Sequence, residues 1–350
     1  MSKVKKLAVS TGGGDAPGLN AVIESVVKTA EASGIEVVGI RDGLDGVLRP
    51  EKYSGNGVIR LTSENVMRIS STGGTILGAA SRGGVFTEKR GASDVCRAVD
   101  SAGADAVIFV GGDGTHKIGF ELYKEGLKVV GAPKTIDNDL LGTVTTFGFD
   151  SAVECVVDSL DRIRTTVASH QRVMVVEVMG RHAGWIALHG GLAGAADAII
   201  LPEMKTSLAG IADWLERHHE SGSDHSIVVV AEGANIEGIQ SLPKGERLGG
   251  LGEALAISLS KALTQEVRSL NLGHLVRGGA PVASDRLLGL RLGSAAVRAV
   301  LGGRYGVMVG WNGSEVTETP LEVVSAGTKS VPRDSDLIIT AQGLGVYIGE

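Results

Sequence analysis

Two carboxylates set two residues apart are the first chemistry in this chain. Pro133-Lys-Thr-Ile-Asp-Asn-Asp139 follows a short apolar run and places Asp137 and Asp139 on either side of Asn138, with Thr135 just before them. One carboxylate of such a pair suits a base that takes a proton from a substrate hydroxyl. The other suits an orienting group or a ligand to a metal–phosphate. A turn-forming Asx cluster has the same composition. A third carboxylate, Asp113, lies in Gly111-Gly-Asp-Gly-Thr115, after another apolar run and before a helical pattern. Asp113 fits a magnesium site, because phosphates and water supply most of that ion's ligands, and it equally fits a helix cap.

Glycine and arginine supply the rest. Glycine accounts for 52 of 350 residues, about double the usual ~7%. Three clusters stand out: Ser10-Thr-Gly-Gly-Gly-Asp-Ala-Pro-Gly18, Ser71-Thr-Gly-Gly-Thr75 and Gly111–Thr115. The first and third follow strand-like runs and precede helical ones. Backbone N–H groups bared by glycine at the positive end of a helix suit an anion. Each cluster alone is a tight turn; three together would make a polyphosphate cradle including Gly13, Gly14, Gly112, Gly114 and Thr115. Cations come in His170-Gln-Arg172, Met179-Gly180-Arg181, Arg268 and Gly273-His274-Leu-Val-Arg277-Gly-Gly279. Arginine forks suit phosphate. Singly, each is an ordinary surface cation and His274 a packed histidine. Four arginines beside glycines in a chain of net charge −6 argue for a local anion site.

The elements that must position these residues follow from the apolar pattern. Strands are expected at Lys6–Ser10, Glu36–Ile40, Ala106–Val110, Lys128–Gly131, Arg172–Val178, Ala198–Leu201, Ser226–Ala231 and Gly306–Gly310. Helices are expected between them, at Gly18–Glu31, Ala92–Ala102, His116–Lys124, Ser151–Ala168, Ala183–Ala193, Ser207–Glu220, Leu251–Ser269 and Asp285–Leu301. That alternation predicts an α/β fold of two domains, with mainly parallel sheets covered by helices on both faces. At roughly 150 residues per domain the length agrees.

Composition narrows the class. Apolar residues make up 43% and charged residues 21%, too much core material for disorder. The negative net charge offers nucleic acid no global attraction. No apolar run approaches the ~18 residues of a membrane span, and Leu7-Ala-Val9 after the N-terminal lysines is too short for a signal peptide. Cys96 and Cys155 form no metal or redox pattern. A cytoplasmic enzyme is the expectation, with no nucleic acid and no membrane partner. The Walker P-loop, the dinucleotide Gly-x-Gly-x-x-Gly, the His-Glu-x-x-His zinc motif and the Gly-x-Ser-x-Gly elbow are all missing from the motifs considered.

Taken in order, Thr11-Gly-Gly-Gly-Asp-Ala-Pro-Gly-Leu-Asn20, Gly111–Thr115, Pro133–Asp139, Val176-Glu-Val-Met-Gly-Arg181 and Gly273–Gly279 resemble the phosphofructokinase family along nearly the whole chain. The resemblance implies phosphoryl transfer to the C1 hydroxyl of fructose 6-phosphate. It implies Asp137 as catalytic base beside Thr135 and Asp139, Asp113 as the Mg²⁺ ligand, and Met179, Gly180, Arg181, Glu232, His274 and Arg277 as sugar-phosphate contacts. Arg172 and Arg268 match arginines supplied by a neighbouring subunit, which implies a homo-oligomer, a dimer or a tetramer. It also implies a donor-binding domain of 1–149 and 277–322, a sugar-phosphate domain of 150–276 and 323–350, and an active site in the cleft between them.

Two departures and one choice remain. The family's arginine that bridges the transferred phosphate follows the second glycine cluster; here Arg82 is the candidate, one residue later than the commonest spacing. Allosteric bacterial members carry an effector-site arginine where this chain has Glu24, so weak or altered allostery is expected. The choice is the phosphoryl donor. Gly114 matches the residue that leaves room for the α-phosphate of ATP, where an aspartate goes with pyrophosphate. Lys134 is found in pyrophosphate enzymes and in some ATP enzymes. ATP is the expected donor, with pyrophosphate the alternative. A NAD or lipid kinase shares the Gly-Gly-Asp loop but leaves the Asp137/Asp139 pair without a role. A regulatory subunit would be expected to lose those carboxylates. A seven-carbon sugar phosphate differs from the six-carbon one by too little for motifs to resolve.

Overall fold

The protein is described by a computed structural model covering residues 4–80, 84–87, 90–239 and 249–350. Its strands are β1 (Lys6–Thr11), β2 (Glu36–Ile40), β3 (Val58–Leu61), β4 (Ala106–Gly111), β5 (Val129–Pro133), β6 (Val173–Val178), β7 (Ala198–Ile200), β8 (Thr206–Ser207), β9 (Ser226–Ala231), β10 (Ile236–Glu237), β11 (Val267–Asn271), β12 (Val307–Trp311) and β13 (Val316–Pro320). Its helices are α1 (Leu19–Glu31), α2 (Asp45–Leu48), α3 (Ala92–Asp100), α4 (Asp113–Lys124), α5 (Phe149–Ser169), α6 (Trp185–Ala193), α7 (Leu208–Glu220), α8 (Leu251–Ala262), α9 (Ala283–Leu301), α10 (Leu321–Ser325) and α11 (Asp336–Gly343).

The chain divides into two compact units. One comprises 1–136, 140–151 and 277–328; the other comprises 137–139, 152–276 and 329–350. The first unit holds a seven-stranded sheet in the order β13-β12-β5-β4-β1-β2-β3. Its centre is parallel, and β3 and β13 add antiparallel edges. Alternation along the strands explains the layering, because successive side chains point to opposite faces. Leu7, Val9, Ile108 and Val110 join the core with α1 and α9. Ala8, Val107 and Phe109 join the opposite core with α3, α4 and α10. Both faces are therefore buried, as a near-continuous apolar run in a parallel sheet requires.

The second unit holds a four-stranded parallel sheet, β11-β6-β9-β7, and the short pair β10-β8. Val173, Val175, Val228 and Val230 pack with Ile211, Leu215, Leu255 and Leu259 of α7 and α8. On α6, Gly191 lies so close to Ile199 and Val229 that a Cβ would come within 2.9 Å of Ile199.

The expected helix over 251–269 is corrected. It ends at Ala262, Leu263 turns to an extended conformation, and Val267–Asn271 forms β11. Val267 is buried but Arg268 and Ser269 are exposed, so this is an edge strand whose weak apolar signal resembled a helix tail. Its parallel register sets Val267 opposite Val173 and Arg268 opposite Met174.

Candidate active site

In the first unit, β1, β4 and β5 run parallel and end side by side. Their outgoing loops therefore meet at one edge, where parallel α/β sheets bind ligands. Gly12 donates its N–H to the Val110 carbonyl at 2.9 Å, and Lys134 donates its own to Gly111 at 3.0 Å. The second glycine cluster is pinned to the same edge. Thr11 Oγ1 donates to the Gly78 carbonyl at 2.7 Å, and Asn20 Nδ2 donates to Thr72 Oγ1 at 3.0 Å. Thr115 fills the space between the first and third clusters. A Cβ on Gly111 would lie 2.2 Å from Thr115 Oγ1, so only glycine permits this approach. Gly13, Gly14, Gly112, Gly114 and Thr115 are thus brought together.

Two side chains support these loops from beneath. Lys134 is 3% exposed and its ammonium donates to the Gly14 carbonyl. Its charge is therefore built into the first glycine loop. His116 is fully buried and its Nδ1 lies 2.8 Å from the Gly112 carbonyl, which also accepts the His116 N–H. Burial pulls the His116 pKa down to about 4, so the ring is neutral and Nδ1 is the donor. Asp113 opens α4; its carboxylate accepts from the Gly114 N–H at 2.6 Å and from Lys117 Nζ at 3.0 Å. Among the described residues, nothing lies within 4 Å of the position a Gly114 Cβ would take.

The division between units falls inside Pro133–Asp139. Thr135 stays with the first unit, its carbonyl accepting from Thr146 Oγ1 at 2.7 Å. Asp137, Asn138 and Asp139 belong to the second. Asn138 is buried and holds a left-handed conformation, φ +50°. Its Oδ1 accepts from Lys329 Nζ at 3.0 Å, and the Asp139 carbonyl accepts the Lys329 N–H at 2.8 Å. The Lys329 ammonium sits 5.5 Å above the Trp185 ring, whose Nε1 donates to the Lys329 carbonyl at 2.8 Å. Burial brings the Lys329 pKa down to about 8, against the opposing pull of Asp139.

In the second unit, β6, β9 and β11 likewise end together. Met179-Gly180-Arg181 follows β6, Glu232 follows β9, and His274 follows β11 in a 3₁₀ turn, Gly273–Arg277. The Glu232 N–H donates to the Val178 carbonyl at 2.9 Å and Gly233 to Gly180 at 3.1 Å. Arg277, at the end of the turn, falls in the first unit and donates to the Asp15 carbonyl at 3.2 Å. Arg172 and Arg268 are elsewhere. Arg172 precedes β6, about 23 Å along the strand direction from Met179. It pairs with Glu266 at 2.5 Å, and Arg268 pairs with the other oxygen of the same carboxylate. Within one copy of the chain, these two arginines are not part of the loop cluster.

Arg82 lies outside the described residues. Glu24 is buried, accepts the Ser70 N–H at 2.8 Å and pairs with Lys28 at 2.5 Å. Its charge is satisfied within the unit rather than presented to an effector. Lys329, Trp185 and His116 are supports that sequence reasoning missed. Lys329 stands 191 residues from Asn138, and no local pattern marks the pair.

Comparison with known proteins agrees with this geometry. The phosphofructokinase family model matches residues 6–300. The chain is 46% identical over 360 residues to an ATP-dependent 6-phosphofructokinase of Chloroflexus aurantiacus, covering 100% of this chain and 99% of that protein. It is 45% identical over 336 residues to a pyrophosphate–fructose 6-phosphate 1-phosphotransferase of Amycolatopsis methanolica, covering 93% and 96%. Among solved structures, the Pichia pastoris phosphofructokinase in the T-state superposes with a TM-score of 0.82 at 34% identity. The match covers 93% of this chain and 36% of that one.

Proposed function

The chain belongs to the phosphofructokinase family, and on that premise we propose that it transfers the γ-phosphoryl group of ATP to the C1 hydroxyl of fructose 6-phosphate. The observation that carries the choice of donor is the loop at the start of α4. The loop opens a helix at the end of the sheet, where the helix's positive end suits an anion, and the open space beside Gly114 among the described residues leaves room for an α-phosphate. Overall identity does not separate the donors, since relatives of both kinds match at 46% and 45%. Lys134 does not separate the donors either, since a lysine there is found in enzymes of both kinds; its ammonium donates to the Gly14 carbonyl.

In the proposed reaction Asp137 accepts the proton of the C1 hydroxyl as that oxygen attacks the γ-phosphorus. The bond from phosphorus to the bridging oxygen breaks, and ADP leaves. Thr135 and Asp139 hold the hydroxyl and the base in register. Gly13, Gly14, Gly112 and Thr115 line the donor's phosphates, and Arg82 and Arg181 offset the charge that develops on them. Phosphoryl transfer needs positioning and charge neutralisation more than covalent chemistry, and this set supplies both. Asp113 is the residue that would hold Mg²⁺. One half-exposed carboxylate fits an ion that takes most of its ligands from phosphate and water, and Lys117 would have to share it. When bound, that ion draws charge from the transferring phosphate.

Met179, Gly180, Arg181, Glu232, His274 and Arg277 take the sugar phosphate in this reading. Arg172 and Arg268 serve the sugar phosphate of a neighbouring copy in a homo-oligomer, working in the cytoplasm. Their distance from the loops of their own chain supports that role. Turnover of fructose 6-phosphate with each donor tests the proposal. Rapid turnover with ATP and little with pyrophosphate is expected; turnover with pyrophosphate alone would overturn the donor assignment.

A further inference from the structure

The segment that carries both carboxylates depends on one residue in a conformation that side chains rarely adopt. Asn138 has φ +50°. A residue other than glycine is disfavoured there, and the conformation persists only where the surroundings over-determine it. Asparagine tolerates the conformation better than most, but Asn138 is 4% exposed, so its amide must find partners inside the protein.

Lys329 supplies two restraints at once. Its ammonium donates to Asn138 Oδ1 at 3.0 Å, and its backbone N–H donates to the carbonyl of Asp139 at 2.8 Å. Two consecutive residues are thereby held from one point. Lys329 is itself held: the ammonium lies over the Trp185 ring at 5.5 Å, and the indole N–H returns a 2.8 Å hydrogen bond to its carbonyl. A flexible four-carbon stem would otherwise range over many rotamers. The indole fixes where its charge stands, and the lysine fixes Asn138.

We infer that Lys329, seated on Trp185, is a positioning residue that keeps Asn138 left-handed and so holds the Asp137 and Asp139 carboxylates in their working bearings. In this role it acts through Asn138 rather than on the substrate. The inference rests on the reading of Asp137 as the base. Loss of the ammonium releases residue 138 toward ordinary backbone angles and turns the flanking carboxylates with it. Misplacement of a base by about 1 Å costs on the order of a hundredfold in rate, so turnover should suffer more than binding.

The test compares steady-state kinetics of Lys329→Met, Asn138→Ala, Asn138→Gly and the Lys329→Met/Asn138→Gly pair in the full-length protein. Lys329→Met should lower kcat by about 30-fold and leave KM for fructose 6-phosphate within about threefold. Asn138→Ala, which removes the acceptor and resists positive φ, should fall by about tenfold or more. Asn138→Gly takes the left-handed angle unaided and should stay within a few-fold of wild type. In that background Lys329→Met should cost less than about threefold, a non-additivity that a merely structural lysine would not give. Asn138→Ala and Asn138→Gly decide the matter even if Lys329→Met does not fold. Equal kcat in these two variants, equal losses from Lys329→Met in both backgrounds, or a loss confined to KM would overturn the inference. Wild-type turnover in the same assay separates the two levels. No turnover with either donor defeats the functional reading, whereas normal turnover in Lys329→Met defeats the positioning role alone.

Discussion

Under the proposed function the two units prepare for a phosphate in different ways. The first unit uses backbone: three glycine clusters end at one sheet edge, packed so closely that Thr115 leaves no room for a Cβ at Gly111. The second unit uses side chains: Arg181, Glu232 and His274 follow three neighbouring strands of a smaller sheet. A backbone cradle reads charge and spacing and accepts any polyphosphate that fits. Long side chains read a particular arrangement of hydroxyls and phosphate, and they can be exchanged one at a time. In that reading generic recognition falls to the unit with the larger sheet, and most of the selective contacts to the other, with Arg277 of the first unit the exception.

That contrast can be broken in several places. The largest effect is expected where chemistry rather than recognition is removed. Asp137→Asn should lower kcat by about a thousandfold with KM for fructose 6-phosphate changed only a few-fold; turnover within a few-fold of wild type would sink the assignment of the base.

Next is acid stability of the backbone cradle. His116 titrates near 6.5 when unfolded and at about 4 when buried. A depressed histidine pKa gives stability that is fully present above 6.5 and lost as pH falls toward 4, about 3 kcal/mol in all. Urea midpoints at pH 7.5 and 4.5 should diverge in the wild type and diverge less in His116→Gln. A smaller effect is expected for Gly114→Asp, which fills the open space beside the helix start. Its kcat/KM for ATP should fall by about 30-fold while that for pyrophosphate falls less; equal losses would show that the space is not used by a nucleotide. Smallest is Arg181→Ala, one of several side chains on the selective side. KM for fructose 6-phosphate should rise about tenfold, the loss of one charged hydrogen bond, with KM for ATP unchanged. A rise in both would erase the division of labour.

How much of this was legible in sequence follows the same contrast. The buried central strands showed themselves as apolar runs, and β2 and β9 begin and end where the pattern placed them. The glycine loops were legible because only a backbone requirement accumulates glycine after strands. The edge strands β3, β11 and β13 were missed or misread. Each is short and half exposed, so its residues carry little apolar signal. In the site, residues such as Asp137 and Arg181 announced themselves by type and by a resemblance to known motifs. Residues that act through others did not. His116 looked like one more helical residue, and Lys329 meets Asn138 only after the chain has folded across 191 positions. At Glu24 the sequence showed the carboxylate but not that Lys28 and the Ser70 N–H satisfy it within the fold.

The division of the chain into interleaved segments also bears on how the protein is made. Residues 277–328 return to the first unit, and with them come α9 and the strands β12 and β13. Leu288, Leu292 and Val300 of α9 share one core with Leu19, Val22 and Val26 of α1. During synthesis, the part of α1 that packs on α9 stays uncovered until residues 283–301 have been made. Cutting the gene at residue 151 should therefore yield a fragment with an incomplete core that aggregates rather than an independent domain.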